Sequence, residues 1–225
     1  ILFKLKSRLA TNKFTHEQQT KAFGSFDQAL AASDGYGYEN DELVNLVFEK
    51  TRRFRDRVYS QSSLVIDFNS TRSLLALQIA SKGKKKLRVI DFGGACGTHY
   101  FVAKAFFRNS VEFEWTVVET RAMAGKGRAL EDDELRFSDS LSEATQSLQE
   151  IDLVYSSGAL QYVPSPLGTL HNLLDCNAEY LFLNRLALID DVDELSSITT
   201  IQTARLSDNG PGPLPEGMKD GAAKY

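Results

Sequence analysis

The sequence predicts an α/β protein: a Rossmann-like, doubly wound, mostly parallel sheet preceded by an N-terminal helical extension. Three observations carry this. After Lys86, short apolar runs alternate with helix-length amphipathic stretches, the pattern of repeated βαβ units. The first of those runs flows directly into a loop of small residues, Gly93-Gly94-Ala95-Cys96-Gly97. Before Gly83, apolar residues recur instead at helical spacing. Residues 1–83 are therefore expected to form a helical extension or lid, 84–206 the sheet domain and 207–225 a Pro/Gly-rich tail. That division suits a chain of 225 residues as one core plus an extension.

In the extension, Asn40 or Asp41 caps a helix on which Leu43, Val47, Phe54 and Val58 recur, with Lys50, Arg52, Arg53 and Arg55 filling the other positions. A second helix, Thr71 to Ser81, carries Leu74, Leu75, Leu77 and Ile79 and is terminated by Gly83. Strands are predicted at Leu87–Phe92, Phe113–Glu119, Leu135–Phe137, Asp152–Ser156 and Glu179–Asn184. Helices fall between them at Thr98–Arg108, Arg121–Leu130, Leu141–Gln149 and Ser165–Leu174, the last with Ser165 as N-cap and Pro166 at its first position. Repeated strand–helix–strand units dictate right-handed crossovers. Ser197 to Leu206, rich in Thr and Ile, reads as one further strand, and Asn209 to Gly217 as loop or disorder.

Composition narrows the function. With 42% apolar and 25% charged residues the chain is of ordinary globular type. A net charge of −4 argues against a phosphate-tracking surface, so no nucleic-acid partner is expected. Two cysteines, Cys96 and Cys176, supply neither a disulfide framework nor a metal-ligand set, so the expectation is a reducing, cytoplasmic setting and no metal. No apolar run approaches the ~20 residues that span a bilayer, and the start carries no signal-peptide pattern. Ile1 to Ala10 mixes Leu2, Phe3, Leu5 and Leu9 with Lys4, Lys6 and Arg8: a helix capping the domain, or a basic amphipathic segment making weak peripheral contact with anionic lipid. No pattern in the sequence sets the oligomeric state.

The chemistry concentrates at Val89-Ile90-Asp91-Phe92-Gly93-Gly94-Ala95-Cys96-Gly97-Thr98. An apolar strand ends in an acid, a small-residue turn follows and a helix opens at once. Glycine and alanine let the backbone approach a ligand closely, and the helix start presents unpaired N–H groups. The arrangement reads as a nucleoside or nucleotide cradle; the alternative is a tight turn without a ligand. The dinucleotide fingerprint Gly-x-Gly-x-x-Gly is absent, because counting back from Gly97 puts its first glycine on Phe92. A pyrophosphate also sits badly beside Asp91, whereas a sulfonium bearing an ammonium group is attracted to it. The loop therefore leans toward S-adenosylmethionine.

Other strand ends add to this. Trp115-Thr116-Val117-Val118-Glu119 finishes with an acid at the same sheet edge, able to accept from both ribose hydroxyls or to cap the next helix. Phe137-Ser138-Asp139 sets Asp139 or Ser138 against an adenine amine, with Asp139 equally suited to be an N-cap. The fourth strand runs out through Ser156, Ser157, Gly158 and Ala159, small residues that open the crevice. Gln161 and Tyr162 then project polar tips near it, Tyr162 being equally suited to anchor a core.

Together these blocks resemble the class I S-adenosylmethionine-dependent methyltransferases. More narrowly, Phe26 to Tyr36 (FDQALAASDGY), Val89 to Phe101 (VIDFGGACGTHYF), Trp115 to Glu119 (WTVVE) and Ser156 to Val163 (SSGALQYV) resemble a bacterial methyltransferase family of unassigned substrate, often associated with surface-polysaccharide gene clusters. The resemblance spans about residues 22 to 203. It implies that Asp91, Gly93, Gly94, Ala95 and Gly97 line the methionine and ribose portion of S-adenosylmethionine. It further implies that Glu119 holds the ribose, Asp139 lies near the adenine, and Ser156 with Ser157 borders the methionine end. Two departures stand out. Ala95 replaces the usual middle glycine, which a negative φ would tolerate, and past Thr200 the chain enters a Pro/Gly segment where the family continues with another helix and closing strands.

Methyl transfer is an in-line displacement, so the protein mainly aligns an acceptor and, for a hydroxyl, removes its proton. Candidate catalytic groups are His99, Gln161 and Tyr162, with a structural role for His99 as the alternative. His171 and His16 read as surface residues, and Cys96 as a small apolar wall. The expected activity is transfer to a small-molecule or glycan-precursor acceptor. The alternatives are a non-catalytic S-adenosylmethionine-binding or scaffold protein and, against the glycine spacing, an NAD-dependent oxidoreductase.

Overall fold

Strands apolar on both faces need cover on both sides, and the chain supplies it. The computed structural model describes residues 22–33, 37–60, 68–187 and 199–224; Ile1 to Ala10 and His16 lie outside them. The strands are β1 (Lys86–Phe92), β2 (Glu112–Val118), β3 (Leu135–Ser138), β4 (Leu153–Ser157) and β5 (Tyr180–Asn184). They form one parallel sheet in the spatial order β3-β2-β1-β4-β5. This is a Rossmann-like arrangement in which strand order reverses at β1, opening a crevice beyond the carboxyl ends of β1 and β4.

The helices are α1 (Phe26–Ala32), α2 (Asp41–Ser60), α3 (Phe68–Ala80), α4 (Thr98–Phe107), α5 (Arg121–Gly127), α6 (Leu141–Leu148) and α7 (Pro166–Leu174). Strand periodicity divides the core. Leu87, Val89, Trp115, Val117 and Tyr155 face α2 to α5, while Ile90, Val118 and Val154 face α6 and α7. Asp91 belongs by the same alternation to the α4 side, level with Val117 on β2 and Tyr155 on β4.

Several boundaries differ from the sequence reading. The helix expected to reach Leu130 is α-helical only to Gly127 and tightens into a 3₁₀ turn over Arg128–Leu130. Gly127 is needed there, since a Cβ would come within 2.6 Å of the Phe137 ring. Pro166 opens α7 as expected, but the Ser165 hydroxyl makes no capping bond. The further strand expected over Ser197 to Leu206 does not join the sheet. Thr199–Thr200 instead pairs antiparallel with Ala22–Phe23, and Thr203–Arg205 with Ala222–Lys224.

The extension and the final segment are packed together. α2 rests on α4 and α5, and α3 on α4. Lys50, one of the charged residues between the apolar positions of α2, is buried, and its Nζ donates to the Ser207 carbonyl at 2.8 Å. Burial pulls its ammonium below the usual lysine range, opposed by the charges of Asp208 and Asp220. Asn209 to Gly217 contains no helix or strand, yet Gly210 packs against Val47, and Leu206 and Ala223 belong to the main core. Among the described residues no helix is long and apolar enough to cross a membrane.

The packing of Leu206 makes this segment part of the fold. Leu206→Ala should lower unfolding free energy by about 2–5 kcal/mol, read from urea denaturation. A loss below about 0.5 kcal/mol would show that the segment contributes nothing to the core.

Candidate functional site

A cavity of about 720 Å³ opens at the carboxyl edge of the sheet, at the switch point. Its floor is the loop after β1, and Glu119, Asp139, Tyr162 and Arg185 stand around it. Ser73 and Leu74 of α3, with Val47 of α2, close one side, so the extension supplies part of the wall. A larger, shallower depression around Tyr59, Tyr100, Lys104 and Asp132 lies at the amino edge, away from the loop. The switch-point cavity is the one that joins small-residue backbone to titratable side chains.

The loop is shaped by three left-handed residues, Gly93 (φ 73°), Ala95 (φ 51°) and Gly97 (φ 85°). Gly93 has no room for a side chain, since a Cβ there would lie 2.2 Å from the Ala159 methyl. Ala95 departs from the negative φ that would accommodate it, at a cost of about 1–2 kcal/mol for a non-glycine residue. Two bonds pin it there. Ala95 N–H donates to Glu119 Oε1 at 2.9 Å, and Gly97 N–H donates to the Gly94 carbonyl at 3.0 Å. Gly97 then caps α4, and Gly93 N–H donates to Val118 O at 2.9 Å.

Asp91 does not take the position expected for direct ligand contact. Its side chain is wholly buried, 0% exposed, and does not line the cavity. The alternation of β1 turns the carboxylate beneath the loop toward α4. There Trp115 Nε1–H donates to Oδ2 at 3.3 Å, and His99 Nδ1 lies 3.1 and 3.3 Å from the two oxygens. Gly94 packs so closely over this carboxylate that a Cβ would fall 2.4 Å from Oδ2. His99, in the first turn of α4, lines the cavity with its side chain 28% exposed, its ring 4.7 Å from that of Tyr155.

Glu119 lies just past β2, with Ala95 N–H on Oε1 and Thr120 N–H on Oε2, each at 2.9 Å. Its carboxyl is pushed up to about 7, chiefly by burial; the two backbone bonds pull it down, and the charges of Asp91 and Glu39 add to the rise. Helix α5 is capped by Thr120, not Glu119. Likewise Ser140, not Asp139, caps α6, leaving Asp139 on the cavity wall 3.8 Å from Arg128. Ser138 is not on that wall; its hydroxyl closes a turn with the backbone of Ser140.

Of the residues after β4, Ser157 lines the cavity and its hydroxyl accepts from Asn184 Nδ2 at 3.4 Å. Ser156 faces away, 2% exposed, with Oγ lacking a partner. Tyr162 reaches the cavity mouth, donates to Gln202 at 2.6 Å and meets the Tyr38 ring edge-on at 5.4 Å. Gln161 does not line the cavity, and its Oε1 is buried without a partner. Cys96 is buried against Met123 and its thiol is pushed up to about 12, chiefly by burial, which removes it as a nucleophile. His171 is exposed on α7.

Among the lining residues that escape the sequence reading are Tyr38, Ser73 and Arg185. Arg185 has a usable signal, a charged residue directly after the carboxyl end of a strand. Tyr38 and Ser73 carry none, because only tertiary packing brings them to the switch point. No protein-family model matches the chain, and no characterised protein matches it significantly.

Two predictions follow from the loop and its acid. Ala95→Gly should raise stability by up to about 1 kcal/mol, the relief of the left-handed strain less the added freedom of the unfolded chain, as read from denaturation midpoints. A destabilised variant would contradict the positive φ. For Glu119 the folded pKa lies above the unfolded value, so its favourable contribution is complete below about 4.5 and disappears as pH rises through about 7. Glu119→Gln should therefore flatten the fall in stability across that window, measured by thermal unfolding at successive pH values.

Proposed function

We propose that this chain is a class I methyltransferase that holds S-adenosylmethionine in the switch-point cavity and methylates a small-molecule or glycan-precursor acceptor. The observation that carries the reading is the bond from Ala95 N–H to Glu119. In a phosphate cradle the loop N–H groups face an anion. Here the N–H of the loop's middle residue is already spent on a carboxylate, with a second carboxylate, Asp91, directly beneath Gly94. A pyrophosphate would lie over two acids, whereas a ribose donates to the one that lines the cavity, Glu119.

The donor set fits the remaining parts of this ligand. Each Glu119 oxygen receives one backbone N–H and keeps a lone pair for a ribose hydroxyl. Asp139, unused as a helix cap, is an acceptor for an exocyclic amine. Arg185 and Ser157 offer a cation and a hydroxyl to an amino-acid carboxylate. When bound, S-adenosylmethionine supplies an electrophilic methyl on a sulfonium. The protein's part is to orient it and to exclude water, for which the Tyr38–Tyr162 edge contact and the bond to Gln202 partly cover the mouth.

Calorimetric titration with S-adenosylhomocysteine and with NAD tests the reading. Micromolar binding of the first and none of the second is expected, and the reverse would assign the cavity to a nicotinamide. Glu119→Ala should weaken S-adenosylhomocysteine by about 1–3 kcal/mol, the value of charge-assisted hydrogen bonds. Affinity in the wild-type protein should decline as pH falls below about 7, when Glu119 takes up a proton.

A further inference from the structure

A carboxylate buried beneath a ligand loop has to be accounted for. Asp91 does not line the cavity, so its charge is not used there directly. Its oxygens are served by Trp115 Nε1–H, a group that only donates, and approached by His99 Nδ1. A carboxylate accepts and does not donate, so the hydrogen shared with His99 belongs on Nδ1 and the lone pair on Nε2.

The ring's surroundings fix where that lone pair goes. The Nδ1 edge is occupied by Asp91, and Tyr155 packs against the ring. Tyr155 is itself tied by its hydroxyl to Ser73 of the cavity wall at 2.6 Å, a buried bond. The exposed remainder of His99 belongs to the cavity wall. The ring is thus gripped on one edge and supported by a neighbouring ring, the support a positioned proton acceptor requires.

We propose that His99 is the catalytic base toward a hydroxyl-bearing acceptor and that Asp91 is its positioning residue, rather than an acid that touches the cofactor. This rests on the methyltransferase reading of the cavity. As the acceptor oxygen bonds to the methyl carbon, the S–C bond breaks with its electron pair kept by sulfur. The hydroxyl proton passes to His99 Nε2 and from there to water. The acceptor class this selects is an alcohol or sugar hydroxyl, whose proton must be removed during transfer, and not a thioether or tertiary amine, which has none to lose.

The test reads the tautomer directly, by long-range ¹H–¹⁵N correlation on the full ¹⁵N-labelled chain at alkaline pH, with His99→Gln assigning the signals. The wild-type ring should be the Nδ1–H form with Nε2 unprotonated. Asp91→Asn keeps an acceptor for Trp115 but can turn its amide N–H₂ toward Nδ1, so the ring should convert to the Nε2–H form, losing its lone pair to the cavity. S-adenosylhomocysteine affinity is measured on the same samples and should change less than about threefold in Asp91→Asn, since Asp91 is off the cavity wall. An Nε2–H ring in the wild type, or no change of tautomer in Asp91→Asn, overturns the pair while retained ligand binding leaves the cofactor reading standing. Failure of the wild-type protein to bind S-adenosylhomocysteine overturns that reading, and with it the role in methyl transfer, whichever tautomer is found. A variant that does not fold leaves the wild-type tautomer as the deciding measurement.

Discussion

A fully buried carboxylate at the carboxyl end of the central strand is the constraint on which the rest of the site depends. Removing such a charge from water costs several kcal/mol unless donors meet it. Asp91 meets Trp115 on the neighbouring strand and His99 on the following helix. These partners tie β1 to β2 and to α4 in one network. They also explain the composition of the loop, because Gly94 must pass over the carboxylate without a Cβ and Gly93 must clear Ala159. The loop is small-residue backbone because of what lies beneath and beside it.

The cavity above that loop is a joint product of two parts of the chain. The sheet supplies the acids at its edge, through Glu119 and Asp139, and the extension supplies wall, through Val47 and Ser73. The final segment locks the extension in place, with Lys50 reaching the Ser207 carbonyl and Leu206 entering the core. A polar anchor of this type is specific: the ammonium needs an acceptor at one depth, so it sets how far α2 sits from the segment.

Much of this is legible in the sequence where the cause is local. The five strands announce themselves because both their faces are covered, giving short segments rich in apolar residues between polar stretches. The loop is legible because nothing but a tight turn needs Gly93, Gly94 and Gly97 within five residues. Glu119 is found from its position at a strand end. What escapes is set at a distance. The direction of Asp91 follows from the pleat, which places it on the α4 face once the strand's register is known. The positive φ of Ala95 depends on Glu119 reaching across from the next strand. Lys50 looks like a surface charge until Ser207 is brought beside it, and Thr199–Thr200 looks like a sheet strand until Ala22–Phe23 proves the available partner. Residues such as Gln161, polar and close in sequence to the crevice, are turned elsewhere by the short 3₁₀ turn they occupy.

The central place of β1 also has a kinetic consequence. Val89 pairs with Trp115 on one side and with Leu153 on the other, so neither half of the sheet is complete without it. Closing the second pairing brings together segments far apart along the chain, a step that loop entropy makes slow. α2 and α3 are made before any strand of the sheet and have no apolar surface to rest on until β1 and β2 have joined. Their exposed interval during synthesis is therefore the stage at which this protein is most open to aggregation, and its length is set by how quickly the first two strands find each other.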